Sequence, residues 1–276
     1  MKLSIITINL NNVAGLRKTI ESVVSQSFTD FEFLVIDGSS TDGSVEVIKE
    51  FSGKITFWSS EPDNGIYQAM NKGIREAKGD YCLFLNAGDF LVNDKVLNSV
   101  FHQDLTEDIV VGDCNVSKNG EVVFNTLSPE EITFGAFYGR TIPHQSAFIK
   151  LDLFERYGFY SEQYRIHSDL EFFIRTLIVN SCSYKHINIT VSDYNLEGLS
   201  GNTDNNSVSA AEYDLILRSF IPPRIVSDYA AWAKERDEMK ILYWAKSKPV
   251  LYKSLNLIFL LATFLVTLKK KISNKK

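Results

Sequence analysis

The sequence predicts an α/β protein with a Rossmann-like, mostly parallel central sheet, a small antiparallel element and a helical C-terminal extension. Short apolar runs alternate with stretches in which apolar residues recur at helical spacing, as in successive β-α units. Apolar runs without alternation are typical of parallel strands that are covered on both faces. One Asn-Gly pair lies between two strand-like runs and predicts a hairpin, which a purely parallel sheet lacks.

The first part of the chain supplies the β-α repeats. Polar loops that follow the apolar runs offer helix N-caps, and the periodic segments after them predict helices. Strands joined in this way lie parallel and are connected by right-handed crossovers. Strands are predicted at 3–8, 33–36, 55–58 and 81–85.

The second part of the chain departs from this repeat. A hairpin is predicted from 109–116 and 121–124, joined at Asn119-Gly120. An apolar stripe predicts a helix that Ser168 could cap. Further short strands are predicted at 146–149 and 184–191, and the first domain is predicted to comprise 1–209, with a helical extension at 210–276.

Composition excludes several classes of protein. The net charge of −5 leaves no broad basic face for nucleic acid. Three widely separated cysteines show no zinc-binding spacing and suit a reducing compartment. The N-terminus resembles a first strand and lacks the features of a signal peptide. We therefore expect the main domain to lie in the cytoplasm.

The C-terminal extension has a different composition from the rest of the chain. Residues 255–268 form a 14-residue apolar run, and 269–276 contain five lysines and no acid. A membrane-spanning helix needs about 20 apolar residues, so the run is marginal for crossing a bilayer. The pattern favours a helix lying on the inner face of the cell membrane with a basic anchor, while a core helix or an oligomer contact stays open.

Polar residues recur where predicted strands end. Thr7 and Asn9 end the first strand, Asp37 follows the second, Asp63 lies in the loop after the third, and Asp89 follows the fourth. Parallel strands share one carboxyl edge, so these residues should line one rim, where open α/β sheets bind ligands. Each alone is an ordinary turn residue. Their recurrence predicts a ligand site.

The chemistry of these side chains suits a nucleotide. Asp37 and Asp63 could accept hydrogen bonds from a base or a ribose. Asp89 could hold a divalent metal against phosphates, because hard cations prefer oxygen ligands. Lys72, on the helix after the Asp63 loop, could meet a phosphate or lie on a solvated helix face.

A second group lies far along the chain. Asp169 falls in the first turn of the helix that starts near Ser168, where the helix dipole stabilises a carboxylate. The same carboxylate could deprotonate a hydroxyl nucleophile. His144 precedes a strand and could reach the same cleft, or be structural. The sequence contains no nucleophilic triad, glycine-rich phosphate loop or GxGxxG fingerprint.

Residues 4–44 and 61–89, which end in LNAGD, together with HSDLEFFIR at 167–175, resemble the family 2 glycosyltransferases. The resemblance covers about residues 1–200 and is greatest to the branch that assembles bacterial surface polysaccharides such as O-antigen and capsule. It implies a GT-A fold and transfer, with inversion, of a sugar from a nucleotide-activated donor.

The resemblance also implies roles at matching positions on the nucleotide side. Thr7 and Asn9 match residues that line the nucleotide site. Asp37 matches the aspartate that contacts the base, and Asp63 matches a second nucleotide contact. Lys72 and Asn86 are assigned to the same nucleotide site.

Two departures from the family pattern affect the expected chemistry. Asn86 and Gly88 stand where the metal motif usually has aspartates, which leaves Asp89 as its only carboxylate. Either Asp89 holds Mg²⁺ or Mn²⁺ together with the diphosphate and water, or metal dependence is weak. Ser168 stands where the family has the glutamate of a Glu-Asp pair, so the role of general base rests on Asp169.

Three residues are assigned to the donor and acceptor side. Arg175 matches an arginine on the same helix as the base, and His144 could reach the cleft. Ser200 lies in a segment, 197–200, that resembles the family's acceptor-side Gly-Gly-x-Ser.

The sequence therefore predicts a glycosyltransferase that uses a nucleotide-sugar, expected to be UDP-linked, and a glycan or polyprenyl-diphosphate-linked acceptor. Because the metal motif lacks two of its usual aspartates, an alternative stays open: a non-catalytic sugar-nucleotide-binding subunit of a polysaccharide assembly complex. A nucleotidyltransferase would need a glycine-rich N-terminal loop with basic residues, which LSIITINLNN does not provide.

Overall fold

The computed structural model describes residues 1–118, 120–196 and 206–273. Contacts group the chain into two compact units, Met1–Phe220 and Ile221–Lys276. The first unit contains all of the strands that the structure describes, and the second contains two long helices. Each unit is described separately below.

The predicted β-α repeats are present in the first unit. The third strand begins later than predicted: Ile55 is buried in the core, but pairing with the second strand starts at Phe57. The first elements are β1 (Leu3–Asn9), α1 (Val13–Val24), β2 (Phe31–Asp37), α2 (Ser44–Glu50), β3 (Phe57–Ser60), α3 (Ile66–Glu76) and β4 (Tyr81–Phe84).

The predicted hairpin is confirmed as an antiparallel pair that follows a short strand and helix. Gly120 has a φ of 80°, which glycine adopts readily, whereas Asn119 lies outside the described residues. These elements are β5 (Phe90–Leu91), α4 (Val96–Phe101), β6 (Ile109–Lys118) and β7 (Glu121–Thr126).

The remaining elements of the first unit run from α5 to α8. They are α5 (Phe134–Phe137), a 3₁₀ turn (His144–Ser146), β8 (Ala147–Lys150), α6 (Asp152–Tyr157), α7 (Ser168–Phe173), a π-helical continuation of α7 (Ile174–Val179), β9 (Tyr184–Asn195) and α8 (Asn206–Phe220).

The sheet has the order β3-β2-β1-β4-β8-β6-β9-β5, with β7 paired to β6. Strands β1 to β4 are mutually parallel, β8 is antiparallel to both neighbours, and β6 and β9 are parallel. The carboxyl ends of β1, β2 and β4 therefore share one edge, where Asn9 is the register partner of Asp37. This arrangement confirms a mostly parallel sheet with a small antiparallel element.

The core explains why β1 is apolar on both faces. All seven residues of β1 are buried, with α1 packed on one face and α3 on the other. Helix α3 lies very close to the sheet, since a Cβ added at Gly73 would lie 2.4 Å from Cγ2 of Ile6. This close approach fixes the start of α3, which reaches the ligand edge of the sheet.

The second unit consists of α9 (Pro223–Lys246) and α10 (Pro249–Ser273). The chain leaves the helical conformation before Pro222-Pro223, because α8 ends at Phe220 and α9 starts at Pro223. The division after Phe220 places α8 with the first unit, although the boundary predicted from composition falls at 209; Ile216 and Leu217 of α8 are buried there.

The apolar run of the sequence lies within α10. Its large side chains are exposed, with Phe259 and Leu260 accessible to about two thirds of their surface (66% and 67%). Among the helices that the structure describes, none combines the length and the apolar character needed to cross a membrane.

Candidate active site

A cavity of about 1120 Å³ opens at the edge of the sheet where β1 and β4 end. Its walls are formed by the loop after β1, the start of α3, the loop after β4, the 3₁₀ turn and the loop before α7. Six of the residues predicted from sequence line this cavity: Asn9, Asp63, Asn86, Asp89, His144 and Asp169.

The other predicted residues that the structure describes do not line the cavity. Thr7 and Asp37 are fully buried behind its wall. Lys72, on α3, bonds to the loop that precedes this helix: to the Glu61 carboxylate at 2.9 Å and to the Pro62 carbonyl at 3.1 Å. Ser200, like the rest of its segment, lies outside the described residues.

Arg175 also points away from the cavity. Its guanidinium donates to the carbonyls of Gly158 and Phe159 and lies 3.2 Å from the carboxylate of Glu171. These contacts join α7 to the loop after α6. The geometry thus shows a packing role for Arg175 and no contact with the cavity.

Asp37 organises the strand-end wall of the cavity from below its surface. Its carboxylate accepts hydrogen bonds from Nδ2 of Asn9 at 2.8 Å, the hydroxyl of Ser60 at 2.7 Å, and both the backbone N–H and the hydroxyl of Ser40. Burial raises the pKa of Asp37, but these hydrogen bonds outweigh it and hold the pKa below its usual value. Asp37 is therefore ionised, and it fixes the orientation of Asn9.

Two amide oxygens in the cavity wall have no hydrogen-bond partner. Oδ1 of Asn9 and Oδ1 of Asn86 are both buried and unpartnered within the described part of the chain. Buried polar atoms in native proteins are nearly always bonded, so an unpartnered pair facing a cavity indicates a ligand that donates to them.

Asp63 lines the cavity at the same edge of the sheet. Its carboxylate accepts the backbone N–H of Gly65, and it passes so close to Gly38 that a Cβ there would lie 2.7 Å from Oδ2 of Asp63. The glycine after β2 therefore allows the loop after β3 to approach the loop after β2.

Asp89 is a buried carboxylate whose charge is poorly stabilised. Its Oδ1 accepts the backbone N–H of Asn195 at 3.2 Å. Burial raises its pKa to about 6, against the opposing effects of His144, Asn195 and Gln145. A bound cation would offset this cost, because an adjacent positive charge favours the ionised form.

The donor atoms of the cavity fit a divalent metal when part of its coordination comes from outside the protein. Asp89 offers a buried carboxylate of the type that Mg²⁺ and Mn²⁺ prefer. No group of three His, Cys, Asp or Glu in the described ranges could hold an ion by itself. The site fits a cation that takes its remaining ligands from water and from a bound diphosphate, as Mg²⁺ commonly does with substrate phosphates.

Asp169 faces the cavity from the opposite wall, at the start of α7. Its Oδ2 accepts from Nδ1 of His144 at 3.2 Å, and its Oδ1 accepts from the hydroxyl of Tyr67 at 3.1 Å. Burial raises the pKa of Asp169, but the hydrogen bond and the charge interaction with His144 outweigh it and lower the pKa. Asp169 is therefore ionised at neutral pH, and each of its oxygens retains a further lone pair for a proton.

His144 joins the two walls of the cavity. Its Nε2 lies 3.4 Å from Nδ2 of Asn86, at the end of β4, while its Nδ1 bonds to Asp169. One neutral tautomer, protonated on Nδ1, satisfies both contacts. The 3₁₀ turn that carries His144 therefore sets the distance between the strand ends and α7.

Tyr67 was missed by the sequence reasoning. Periodicity placed it on the apolar stripe of α3, and its ring is buried as that pattern predicts. Its hydroxyl, however, bonds to the Ile166 carbonyl and to Asp169. Burial and the nearby Asp169 charge raise the pKa of Tyr67 well above its usual value, so the hydroxyl stays protonated and donates.

The prediction that Ser168 caps α7 is wrong. His167 is the N-cap residue, and Ser168 is the first helical residue, with a buried hydroxyl that has no partner among the described residues. The helix therefore starts one residue earlier than a serine cap requires. Hydrogen bonds from elsewhere in the fold support its start.

Comparison with known proteins identifies the family. Residues 4–168 match the model for glycosyl transferase family 2. The chain is 30% identical over 206 residues to the PGL/p-HBAD biosynthesis glycosyltransferase of Mycobacterium tuberculosis, covering 72% of this chain and 79% of that protein. Both findings confirm the resemblance in the motifs.

Solved structures show the same fold. S. aureus TarS 1-349 in complex with UDP-GlcNAc superposes with a TM-score of 0.61 at 18% identity, covering 80% of this chain and 72% of that one. The chain covers 61% of TarS 1-349 in a second crystal structure. The mannosyltransferase PcManGT of Pyrobaculum calidifontis, in complex with GDP-Man and Mn²⁺, gives a TM-score of 0.53 at 15% identity, covering 70% of this chain and 56% of that one.

Proposed function

This chain belongs to glycosyl transferase family 2 and is a glycosyltransferase, and we propose that it transfers a sugar from a UDP-linked donor to a hydroxyl of a glycan or lipid-linked acceptor, with inversion. One observation carries the proposal. A single cavity contains the polar ends of β1 and β4 on one wall and the ionised Asp169 on the other. A donor and an acceptor can therefore meet between them.

The nucleotide would lie along the strand ends. The unpartnered amide oxygens of Asn9 and Asn86 offer acceptors to a base or a ribose, and Asp63 adds a carboxylate at the mouth. Asp37 would act indirectly, by holding Asn9. The complex of TarS with UDP-GlcNAc supports a UDP-linked donor. Because PcManGT is in complex with GDP-Man, the experiment must compare UDP-sugars with GDP-sugars.

Asp169 would act as the general base. The acceptor oxygen attacks the anomeric carbon as the bond from that carbon to the diphosphate oxygen breaks, and the hydroxyl proton passes to a carboxylate oxygen of Asp169. Attack on the face opposite the diphosphate inverts the anomeric centre. His144 and Tyr67 hold the carboxylate in place, so little reorganisation is needed during the reaction.

Asp89 would hold Mg²⁺ or Mn²⁺ when the donor is present. The cation would supply positive charge to the departing diphosphate. Asp89 itself contributes a carboxylate fixed by the Asn195 backbone, in a buried position at the end of β4.

Surface-polysaccharide synthesis, such as that of O-antigen or capsule, would place the acceptor on a membrane lipid. The exposed apolar side chains of α10 support association with the inner face of the cell membrane, because burying them in the bilayer interface is favourable. The lysines of 269–276 would add attraction to anionic lipids, at about 1 kcal/mol for each lysine near the surface.

The reaction is tested by nucleotide release from a panel of UDP- and GDP-sugars. Wild type and Asp89→Ala would be assayed with Mg²⁺, with Mn²⁺ and with EDTA, in the presence of lipid-linked glycan acceptors. We expect release from one UDP-sugar that depends on metal and falls at least 10-fold in Asp89→Ala. Tight UDP binding without turnover of any donor would favour the non-catalytic subunit.

Membrane association is tested by sedimentation with vesicles of phosphatidylcholine and phosphatidylserine, since anionic lipid attracts basic segments. We expect Phe259→Glu to release most of the protein, because it places a charge at the interface. Leu215→Glu, at an exposed position of α8, is the control and should sediment like wild type. Equal sedimentation of all three proteins would contradict a membrane role for α10.

A further inference from the structure

We infer that Glu212, on α8, is a positioning residue for Asp169 in the proposed reaction. The inference rests on the proposed function, because it assigns Glu212 to the support of the general base. Glu212 lies beyond the residues that match the family model, which end at 168. It is partly buried at the boundary between α8 and the loop before α7.

The Glu212 carboxylate accepts three consecutive backbone N–H groups. Oε1 accepts from Arg165 at 2.6 Å, and Oε2 accepts from Ile166 at 2.9 Å and from His167 at 3.2 Å. Hydrogen bonds to a charged acceptor are roughly twice as strong as neutral ones. This segment leads directly into Asp169, so Glu212 fixes the backbone from which the base projects.

The sequence around α7 offers no local substitute for this support. In the part of the chain that the structure describes, His167 makes no side-chain capping bond and the Ser168 hydroxyl has no partner. Instead the His167 ring bonds to the Ser209 hydroxyl at 2.7 Å, which is again on α8. The start of α7 is therefore held from outside, by a helix more than forty positions later in the chain.

Helix α8 also holds the segment that leads to His144. The Tyr213 hydroxyl accepts the backbone N–H of Gly139 at 2.5 Å and donates to the Phe137 carbonyl at 3.0 Å. Adjacent residues of one helix thus contact the two segments that carry Asp169 and its partner His144. A shift of α8 would move both groups, and misplacement by about 1 Å can cost 100-fold in rate.

The Ile166 segment is also held from the other side by α3. The Tyr67 hydroxyl bonds to the Ile166 carbonyl, and Asn71 bonds to the Tyr160 carbonyl and to Glu162. Glu212 therefore acts on one side of a segment whose other side is fixed. Its removal should loosen this segment without unfolding the domain, because the burial of Ile216 and Leu217 keeps α8 in place.

The test compares Glu212→Ala, Glu212→Gln and Asp214→Ala in the full chain. Asp214 is the matched control, because it lies on the same helix and pairs only with Arg218, on an exposed face. The measurements are kcat at saturating donor, the Kd for UDP, the thermal midpoint, and amide hydrogen exchange in peptides that cover 160–170.

We expect Glu212→Ala to lower kcat by 10- to 100-fold and to speed exchange at 165–167. The Kd for UDP should stay within 3-fold, because the nucleotide would bind at the strand ends. Glu212→Gln keeps one oxygen acceptor and should recover part of the loss in kcat. Asp214→Ala should match wild type in every measurement.

Two results would overturn the inference. One is a wild-type kcat in Glu212→Ala, and the other is a parallel loss of kcat, UDP affinity and thermal midpoint, which would indicate general destabilisation. Asp169→Asn measured alongside separates the two proposals. If Asp169→Asn is inactive while Glu212→Ala is normal, only this inference fails; if Asp169→Asn is fully active, the assignment of the base fails and this inference fails with it.

Discussion

The two walls of the cavity are built in different ways. On one wall, Asn9 ends β1, and Asn86 and Asp89 follow the neighbouring parallel strand β4, so the sheet brings the two segments side by side. On the other wall, Asp169 depends on His144 and Tyr67, which come from a 3₁₀ turn and another helix. One wall is fixed by sheet register, and the other is assembled from side-chain hydrogen bonds between distant segments.

The electrostatics of the two walls differ as well. Asp169 has a pKa below its usual value, and Asp89 has a pKa of about 6. Asp169 is therefore ionised at neutral pH, and a cation beside Asp89 would favour the ionised form of that buried carboxylate. Pairs of carboxylates with divergent pKa values commonly divide roles in catalysis.

If the strand-end wall binds the nucleotide and the helix wall carries out proton transfer, variants of the two walls should differ in whether they change the Kd for nucleotide or kcat. Changes at Asn9 and Asn86 should raise the Kd for nucleotide and spare kcat, whereas loss of Asp89 should also lower turnover, because the cation it would hold offsets charge on the departing diphosphate. Changes on the helix wall should lower kcat and spare the Kd.

His144→Ala should have the largest effect among the residues that support the two walls. It removes the bond to Oδ2 of Asp169 and the contact with Asn86, so kcat should fall about 10- to 100-fold with little change in UDP affinity. Steady-state kinetics and calorimetry measure the two quantities. His102→Ala, on an exposed histidine at the end of α4, is the control. A raised Kd with normal kcat would place His144 on the nucleotide side.

Asp37→Asn should act mainly on binding, with a rise in the Kd for UDP of about 10-fold, since Asn9 loses its charged acceptor. The free energy of unfolding should fall by about 2 kcal/mol, as expected for hydrogen bonds to a charged group. Denaturant titration measures the stability change. Asp30→Asn, at an exposed carboxylate, should change neither quantity.

The difference in the free energy of unfolding between wild type and Asp37→Asn should depend on pH. The folded pKa of Asp37 lies below the ordinary value of 3.8, so its charge contributes stability above that pH. The contribution is lost as the pH falls through the folded pKa. Wild type and Asp37→Asn should therefore differ at pH 7 and converge in acid, and a constant difference between them would contradict the hydrogen-bonded charge.

Tyr67→Phe should have the smallest effect of these three. It removes the contacts of the hydroxyl with Asp169 and with the Ile166 carbonyl and keeps the buried ring, so kcat should fall about 3- to 10-fold, which corresponds to about one typical net hydrogen bond. Tyr81→Phe is the matched control, since that hydroxyl bonds to the Glu107 carbonyl and does not line the cavity. Equal losses in both variants would show that the effect is not specific to the site.

The contrast between the walls also explains what the sequence could predict. Asn9 and Asp89 were predicted because each follows an apolar strand and parallel strands bring such ends to one edge, whereas Asn86 was predicted from the family resemblance. That rule cannot tell which residues face the cavity. Asp37 ends its strand in the same way, yet it lies behind Asn9 with all its hydrogen bonds directed inward.

The supporting residues of the other wall carry no local signal. Tyr67 fits an apolar stripe, and periodicity does not indicate where its hydroxyl will bond. Glu212 has the appearance of an ordinary solvated glutamate, and its three acceptor contacts exist only after α8 packs beside the loop before α7. Ser168 matches a capping pattern, but tertiary contacts fix the helix start instead.

The decisive measurement is turnover and UDP binding in Asp169→Asn at saturating donor and acceptor. The division of the cavity predicts a loss of kcat of about 100- to 10,000-fold, the usual contribution of a general base, with the Kd for UDP within 3-fold of wild type. Wild-type turnover in this variant would show that another group accepts the proton. A large rise in the Kd would show that Asp169 contacts the nucleotide, and that the two walls do not divide the work.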